Sequence, residues 1–429
     1  MPRRALLVAA ILLFPIASLP LSAQQLLGGD YDGSVTVRGE QVPIHLRLSG
    51  AGTTLSGALV NGPELSPASS VSLSGNHLVL NFNYFARTLD LNLAPGGSPV
   101  GNMTGSFGTP TTRYPVSLHH SPTSPPAPIS TSAPPPITGQ WEIQVQSPKG
   151  ESAWQLGVQP AGTDGSVQAV IQRIDGDTGS LFGSWNGHEY RVGHLSAAGP
   201  ALYSLTPGPD DTLLVSNLIA AEPEKSRQHN LVARRPAAAR AQNLPQPTRP
   251  TEQTTIKNPS EPFRFSAPDL AGSLVTERDP RFDGKVLIVA IGGSWCPNCH
   301  DEAPFLESLY KQFHSRGLEV VDLSFEEADQ LKDPSRLRAF IARYCITYTV
   351  ILAGEPDKLN QKLPEAEHLN SWPTSFFLGR DGRVREVHAG FAGPANPTAH
   401  QALVTDTTAL VEQLLAEPAP THAASVTSH

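Results

Sequence analysis

The sequence predicts a multidomain chain in which two small antiparallel β domains of the barrel or sandwich kind precede an α/β domain, and three observations carry that prediction. Its 429 residues exceed what one hydrophobic core organises. Two proline-rich stretches without apolar periodicity, 121–137 and 235–262, divide it and read as stiff, solvated linkers. The apolar period also changes along the chain. Short period-2 runs separated by Gly, Asn and Pro fill the front, whereas β-branched runs alternate with helical patterns in the last third.

Residues 1–23 read as a secretory signal: Arg3 and Arg4, an apolar stretch over 5–16, then Leu21-Ser22-Ala23 ahead of Gln24. The stretch is short for a membrane-spanning helix, so cleavage is the expectation and an uncleaved anchor the alternative. A periplasmic or secreted protein follows. The formal charge of −8 gives no footprint for nucleic acid, and Arg234, Arg235 and Arg240 fall where the chain reads as linker.

The β domains, 24–120 and 138–234, share one plan. Each opens on Gly-x-aromatic (Gly29-Asp30-Tyr31; Gly139-Gln140-Trp141) and closes on a strand, 114–119 in one and 229–233 in the other. Alternating runs at 42–48 and 78–82 match runs at 154–158 and 189–192, as antiparallel meanders require. The aromatics Tyr31, Phe82, Tyr84, Phe85, Trp141, Trp154, Trp185 and Tyr190 are expected to fill these barrels. A barrel mouth or edge strand can also bind a ligand or client protein, which makes an interaction protein the competing functional class.

The α/β domain is placed at 263–416. Strands are expected over 285–291, 318–323, 348–352, 375–378 and 384–388, and helices over 297–316, 334–344 and 398–416. Asp381-Gly382 marks a hairpin turn, and the tail 417–429 is expected to be disordered.

Chemistry concentrates in Ser294-Trp295-Cys296-Pro297-Asn298-Cys299-His300, which holds two of the three cysteines just after an apolar strand. Spacing i, i+3 at a helix start puts both sulfurs on one face, close enough to bridge. The helix terminus favours a thiolate at Cys296, which makes it the nucleophile. Since the front two thirds contain no cysteine, this pair does not staple a large fold, and a redox dithiol is the stronger reading.

Together with Glu302 and Pro304 in the same helix, and with Trp372-Pro373-Thr374-Ser375-Phe376-Phe377-Leu378 ahead of Asp381-Gly382, this order of elements resembles the thioredoxin fold. More closely it is similar to the exported TlpA/ResA type of thiol-disulfide oxidoreductase, over about residues 260–416. For the β domains no family resemblance emerges. The resemblance implies that Cys296 is the exposed attacking thiol and Cys299 the resolving one. It also implies that Pro373 is a cis proline whose strand holds an extended substrate segment, with Trp295, Pro297, Asn298, Trp372 and Thr374 around the groove. Implied partners are protein thiols and disulfides, with a membrane redox partner; no bound cofactor and no metal are implied.

Trp295 reads equally as a substrate platform or a core aromatic. Pro304 reads as structural. Glu302 is expected to face solvent, with tuning of the dithiol as its alternative role, and His300 to be a modest electrostatic neighbour of the thiols. The chain departs from the pattern in two places. Six residues before Cys296, where many thioredoxins carry a buried acid, stands Ala290, so Glu302 or water would have to deprotonate Cys299. Before Pro373 stands the bulky Trp372, which narrows the groove.

Three other chemistries fit less well. Cys296-x-x-Cys299-His300 also spells a haem attachment signal, but that role needs neither the preceding strand nor the distant Pro-Thr strand. A peroxidase would want a hydroxyl at Gly293, three residues before Cys296. Cys345, a candidate remote resolving thiol, is expected to be a partly buried small residue instead. Zinc lacks a second ligand pair.

Overall fold

A computed structural model of the chain describes residues 27–94, 101–121, 134–162, 164–221 and 227–418. The expected signal segment, most of the first proline-rich stretch and nearly all of the C-terminal tail lie outside the described residues.

The two β domains are built alike. In the first, strand Gly29–Val37 lies between Glu40–Ser49 and Arg113–His120 in a nine-stranded antiparallel sheet. In the second, Gly139–Gln144 lies between Ala153–Pro160 and Leu231–Arg234. The sheets differ in closure. Ala153–Pro160 also pairs with Val167–Arg173, which closes the second sheet into a barrel, while the first stays open with Glu64–Pro67 and Ser70–Ser74 at its edges. Period-2 alternation sends Leu46, Leu80 and Phe82 into one core and Leu156, Val192 and Leu205 into the other. The shared plan extends to a hydrogen bond: Tyr31 Oη donates to Leu27 O at 3.2 Å, and Trp141 Nε1 donates to Ile137 O at 2.8 Å, each four residues back. The domains are also tied together, since Asn61 Nδ2 donates to Ser180 O and Arg191 pairs with Glu40.

The stretch 235–262 is not the solvated linker that its composition suggested. Short helices Pro236–Ala241 and Pro250–Gln253, each with proline in its first turn, lie against the domains. Ala239 is buried, Arg240 pairs with Glu142, and the Gln253 amide donates to Lys149 O and Asn370 Oδ1. Prolines fix its course; these polar contacts dock it.

The C-terminal unit is a five-stranded sheet ordered Thr349–Gly354, Leu318–Phe325, Val286–Gly292, Thr374–Leu378, Val384–Ala389, the first three parallel and the last two antiparallel. Val286–Gly292 is buried along its whole length, as a central strand covered on both faces must be. Ala303, Leu306, Leu309 and Phe313 of helix Pro297–Phe313, Leu337 and Phe340 of Ser335–Tyr344, and Val411 and Leu414 of Pro397–Ala416 cover one face. Phe263, Phe265, Phe282 and Leu359 cover the other. Elements fall within a few residues of their expected bounds, the largest difference being the short additional helix Ala328–Lys332.

Candidate functional site

The strand Val286–Gly292 ends beneath the dithiol. Cys296 caps the helix Pro297–Phe313 and accepts from Cys299 N at 3.3 Å; Pro297 occupies the first turn, where a missing N–H costs nothing. Cys296 and Cys299 form a disulfide with their Cα atoms 5.3 Å apart. Across the gap, the Trp372–Pro373 peptide is cis and leads into strand Thr374–Leu378. Trp372 meets Trp295 edge to face, with ring centroids 5.3 Å apart.

Trp295 is anchored from below, its Nε1 donating to Phe325 O at 2.9 Å. The preceding Ser294 is held by a buried charge cluster. Its N and Oγ donate to the two oxygens of Glu326, and Arg336 donates to both Ser294 Oγ and Glu326. Gly293 has no room for a side chain, since a Cβ would fall 2.5 Å from Phe325 O and against the Trp295 ring.

Four expectations about this site are corrected. Cys296 is not exposed: it is 2% accessible and Cys299 5%. Glu302 does not face solvent but lies buried on the helix face that carries Cys299, Ala303 and Leu306. Ser375 Oγ donates to it at 2.8 Å, and burial pushes its carboxyl up to about 8. His300 is no charged neighbour. Burial takes its imidazole down to about 3, so it is neutral: Nε2 donates to Ser294 O and Nδ1 accepts from Tyr344 Oη. Cys345 is exposed rather than partly buried, at the left-handed residue that ends helix Ser335–Tyr344.

The sequence reading missed Asp322. It stands directly opposite Ala290 on the parallel neighbouring strand and faces the same side of the sheet. A side chain added to Gly292 would lie 3.5 Å from both Asp322 Oδ1 and Cys299 Sγ, so the carboxyl and the sulfur border the space that this glycine leaves empty. Asp322 is buried, its Oδ1 has no hydrogen-bond partner among the described residues, and burial together with Glu326 pushes it up to about 7. The missed signal was an aspartate at the middle of a strand that is buried along its whole length.

The β domains close over this centre. From the second, Asp175 Oδ1 accepts from Trp372 N at 3.0 Å, Asp175 O accepts from Phe391 N at 3.1 Å, and Gly176 pairs in parallel with Phe391. From the first, Phe85 stacks on His300 with centroids 3.9 Å apart, and Arg343 lies over the Tyr84 ring. Phe85, expected to fill the β domain, packs against its core and also on the site helix. Between the three units remains a cavity of about 700 Å³ reached by Glu64, Asp177, Asn298 and Asp301. Burial raises the Asp177 carboxyl to about 6 and that of Asp301 well above the usual range. Thr374 is buried in its strand, its Oγ1 donating to Ser371 O.

Comparison with known proteins bears on the C-terminal part of the chain. Residues 261–387 match the model of the AhpC/TSA family. The chain is 27% identical over 136 residues to thiol-disulfide oxidoreductase ResA of Bacillus thuringiensis subsp. konkukian, covering 31% of this chain and 70% of that protein. It is 29% identical over 126 residues to ResA of Bacillus anthracis, covering 29% and 66%, and 28% identical over 127 residues to thioredoxin-like protein YneN of Bacillus subtilis, covering 29% and 68%. The chain thus spans about two thirds of the length of these relatives. Among solved structures, a putative thiol:disulfide interchange protein DsbE from Chlorobium tepidum is 23% identical, covers 37% of this chain and 99% of its own, and has a TM-score of 0.29. Residues 261–387 form a thioredoxin-like domain that matches the AhpC/TSA family.

Proposed function

We propose that the protein is an extracytoplasmic thiol-disulfide oxidoreductase that exchanges the Cys296/Cys299 pair with cysteines of client proteins. The observation that carries the reading is the disulfide at the start of helix Pro297–Phe313, facing the cis Trp372–Pro373 peptide. In the reducing direction the Cys296 thiolate attacks a client disulfide; a mixed disulfide forms and one client sulfur leaves as thiolate. Cys299 then gives up its proton and attacks Cys296 Sγ. The Cys296–Cys299 bond forms, the mixed disulfide breaks, and the second client sulfur leaves. Two electrons pass from the dithiol to the client, and the opposite direction reverses each step.

The proton of Cys299 goes to the buried carboxyls behind it. Asp322 borders the sulfur, and Glu302, whose proton affinity is raised by burial first and further by the charge of Asp322, lies within electrostatic reach of it. Cys299 is thus served from the strand next to the one that carries Ala290. Trp295, Pro297, Asn298, Trp372, Pro373 and Thr374 form the walls against which an extended client segment lies. A membrane redox partner renews the pair. The closed space at Gly293 supports exchange over peroxide reduction, because no hydroxyl can stand there.

Turnover of insulin disulfides or of a reduced model protein tests the reading. Cys296→Ser is expected to abolish it and Cys299→Ser to accumulate a mixed disulfide. Wild-type protein that neither reduces nor oxidises either substrate overturns it.

A further inference from the structure

The dithiol of this chain is covered by its own neighbour, and the manner of covering is specific. The loop and short strand that follow Val167–Arg173 run along the cis-proline side of the groove. Two backbone N–H groups that face the groove, those of Trp372 and Phe391, both bond Asp175, one to its side chain and the other to its carbonyl. Gly176 pairs in parallel with Phe391 as a strand would, and it must be glycine: its φ is +136°, and a Cβ would meet Phe391 O and stand 2.6 Å from Asn298 Cγ. Gln172 accepts from Asn396 Nδ2, and Lys149 pairs with Asp175. A continuous strip formed by Asn298, Trp372 and the 390–391 backbone is therefore filled by an extended segment next to the disulfide.

We infer, on the reading of that groove proposed above, that residues 172–177 are a displaceable plug that occupies the place of an extended client segment in the closed chain. The occupant shows what the surface fits. It takes a strand-like stretch that presents a carbonyl to Phe391 N, an acceptor to Trp372 N, and a residue without a side chain over Asn298. β-Strand addition of this kind gains affinity from main-chain bonds and is tolerant of sequence. The contacts that hold the plug are of the same kind, few and polar, so a client strand replaces them in kind. The first β domain holds the opposite side through Phe85 on His300 and Tyr84 under Arg343, so opening requires both grips to loosen.

Access to Cys296 is read by alkylation of the reduced full-length protein with iodoacetamide, whether or not the thiol exchanges with clients, so this inference and the proposed activity fail separately. Gly176→Leu and the double variant Asp175→Ala/Asn396→Ala are expected to raise the rate at Cys296 at least tenfold over wild type, with helix and strand content unchanged by circular dichroism. Where Gly176→Leu does not fold, the double variant decides. A peptide Gln-Arg-Ile-Asp-Gly-Asp, the sequence of 172–177, is expected to slow alkylation of the opened variant, and a scrambled peptide to leave it unchanged. Folded variants that alkylate at the wild-type rate, or equal protection by both peptides, overturn the inference.

Discussion

The charge cluster under Ser294 permits a stability prediction with a stated size. Arg336, 9% accessible, is the cation facing Glu326, which is 0% accessible; the remaining partners of Glu326 are the neutral donors Ser294 N, Ser294 Oγ and Ser324 Oγ. Arg336→Leu removes the compensating charge and leaves a buried carboxylate, which costs about 3–5 kcal/mol, while the half-exposed Glu327 adds at most about 1 kcal/mol. The loss falls on the segment that positions Trp295 and Cys296. Amide exchange of strand Val286–Gly292, read by mass spectrometry, reports opening of this unit alone and is expected to accelerate between about 10² and 10⁴-fold. Arg336→Leu/Glu326→Gln, which removes both charges and keeps an acceptor for Ser294 N, is expected to recover at least half of the loss on a logarithmic scale. Acceleration under tenfold in the single variant, or a double variant as fast as the single, refutes the argument that an uncompensated charge is what costs.

Three further outcomes are expected. Resolution of the mixed disulfide, followed in single turnovers, should rise with pH through about 7 to 8 as Asp322 and Glu302 lose their protons, and Asp322→Asn should slow it about 10²-fold at pH 7.5 and remove the lower inflection. An unaltered profile would exclude Asp322 as the acceptor. Asp177, raised by burial and by Glu64 from 3.8 to about 6 in the closed arrangement, favours that arrangement when protonated; the contribution is full below about pH 4 and is lost as pH rises through 6, to a limit of about 3 kcal/mol. Limited proteolysis between the units should therefore be slower at pH 4.5 than at 7.5 in wild type, and the difference should be smaller in Asp177→Asn, where the raised Asp301 still titrates; equal pH dependence in both would assign the effect elsewhere. Finally, Cys345→Ser is expected to leave turnover within twofold of wild type, because the thiol is exposed and its Sγ donates only to Ala342 O of its own helix, although Tyr344 beside it reaches His300; a larger loss would make it a participant.

Much of the site was legible because its chemistry is local. A C-x-x-C at a helix start and a Pro-Thr ahead of a strand each state their geometry within a few residues. Glu302 was legible too and was misread: it is three residues after Cys299 and four before Leu306, so the helical period puts it on the buried face with Ala303 and Leu309. Asp322 required the register of two parallel strands, since only the pairing Ala290 with Asp322 shows that an acid missing from one strand is supplied by the next. Such pairing is set by the crossover between the strands and leaves no mark in either one alone.

The covering of the dithiol lay furthest from the sequence, and the reason bears on why the chain carries two β domains of one plan. Alternation predicts which residues of a meander point inward and says nothing about what its loops touch. Yet the two copies meet the thioredoxin-like unit with different parts. The open sheet contributes the turn Asn83–Phe85 to the helix side of the dithiol, and the closed barrel contributes residues 172–177 to the cis-proline side. The base of that plug is the strand Val167–Arg173, whose pairing with Ala153–Pro160 closes the barrel, whereas the open sheet meets His300 through Phe85. Repetition of a plan with divergence in closure thus yields a two-sided grip from a single architecture, and the tether 235–262, docked through Arg240 and Gln253, keeps the gripping units within reach of the site they cover.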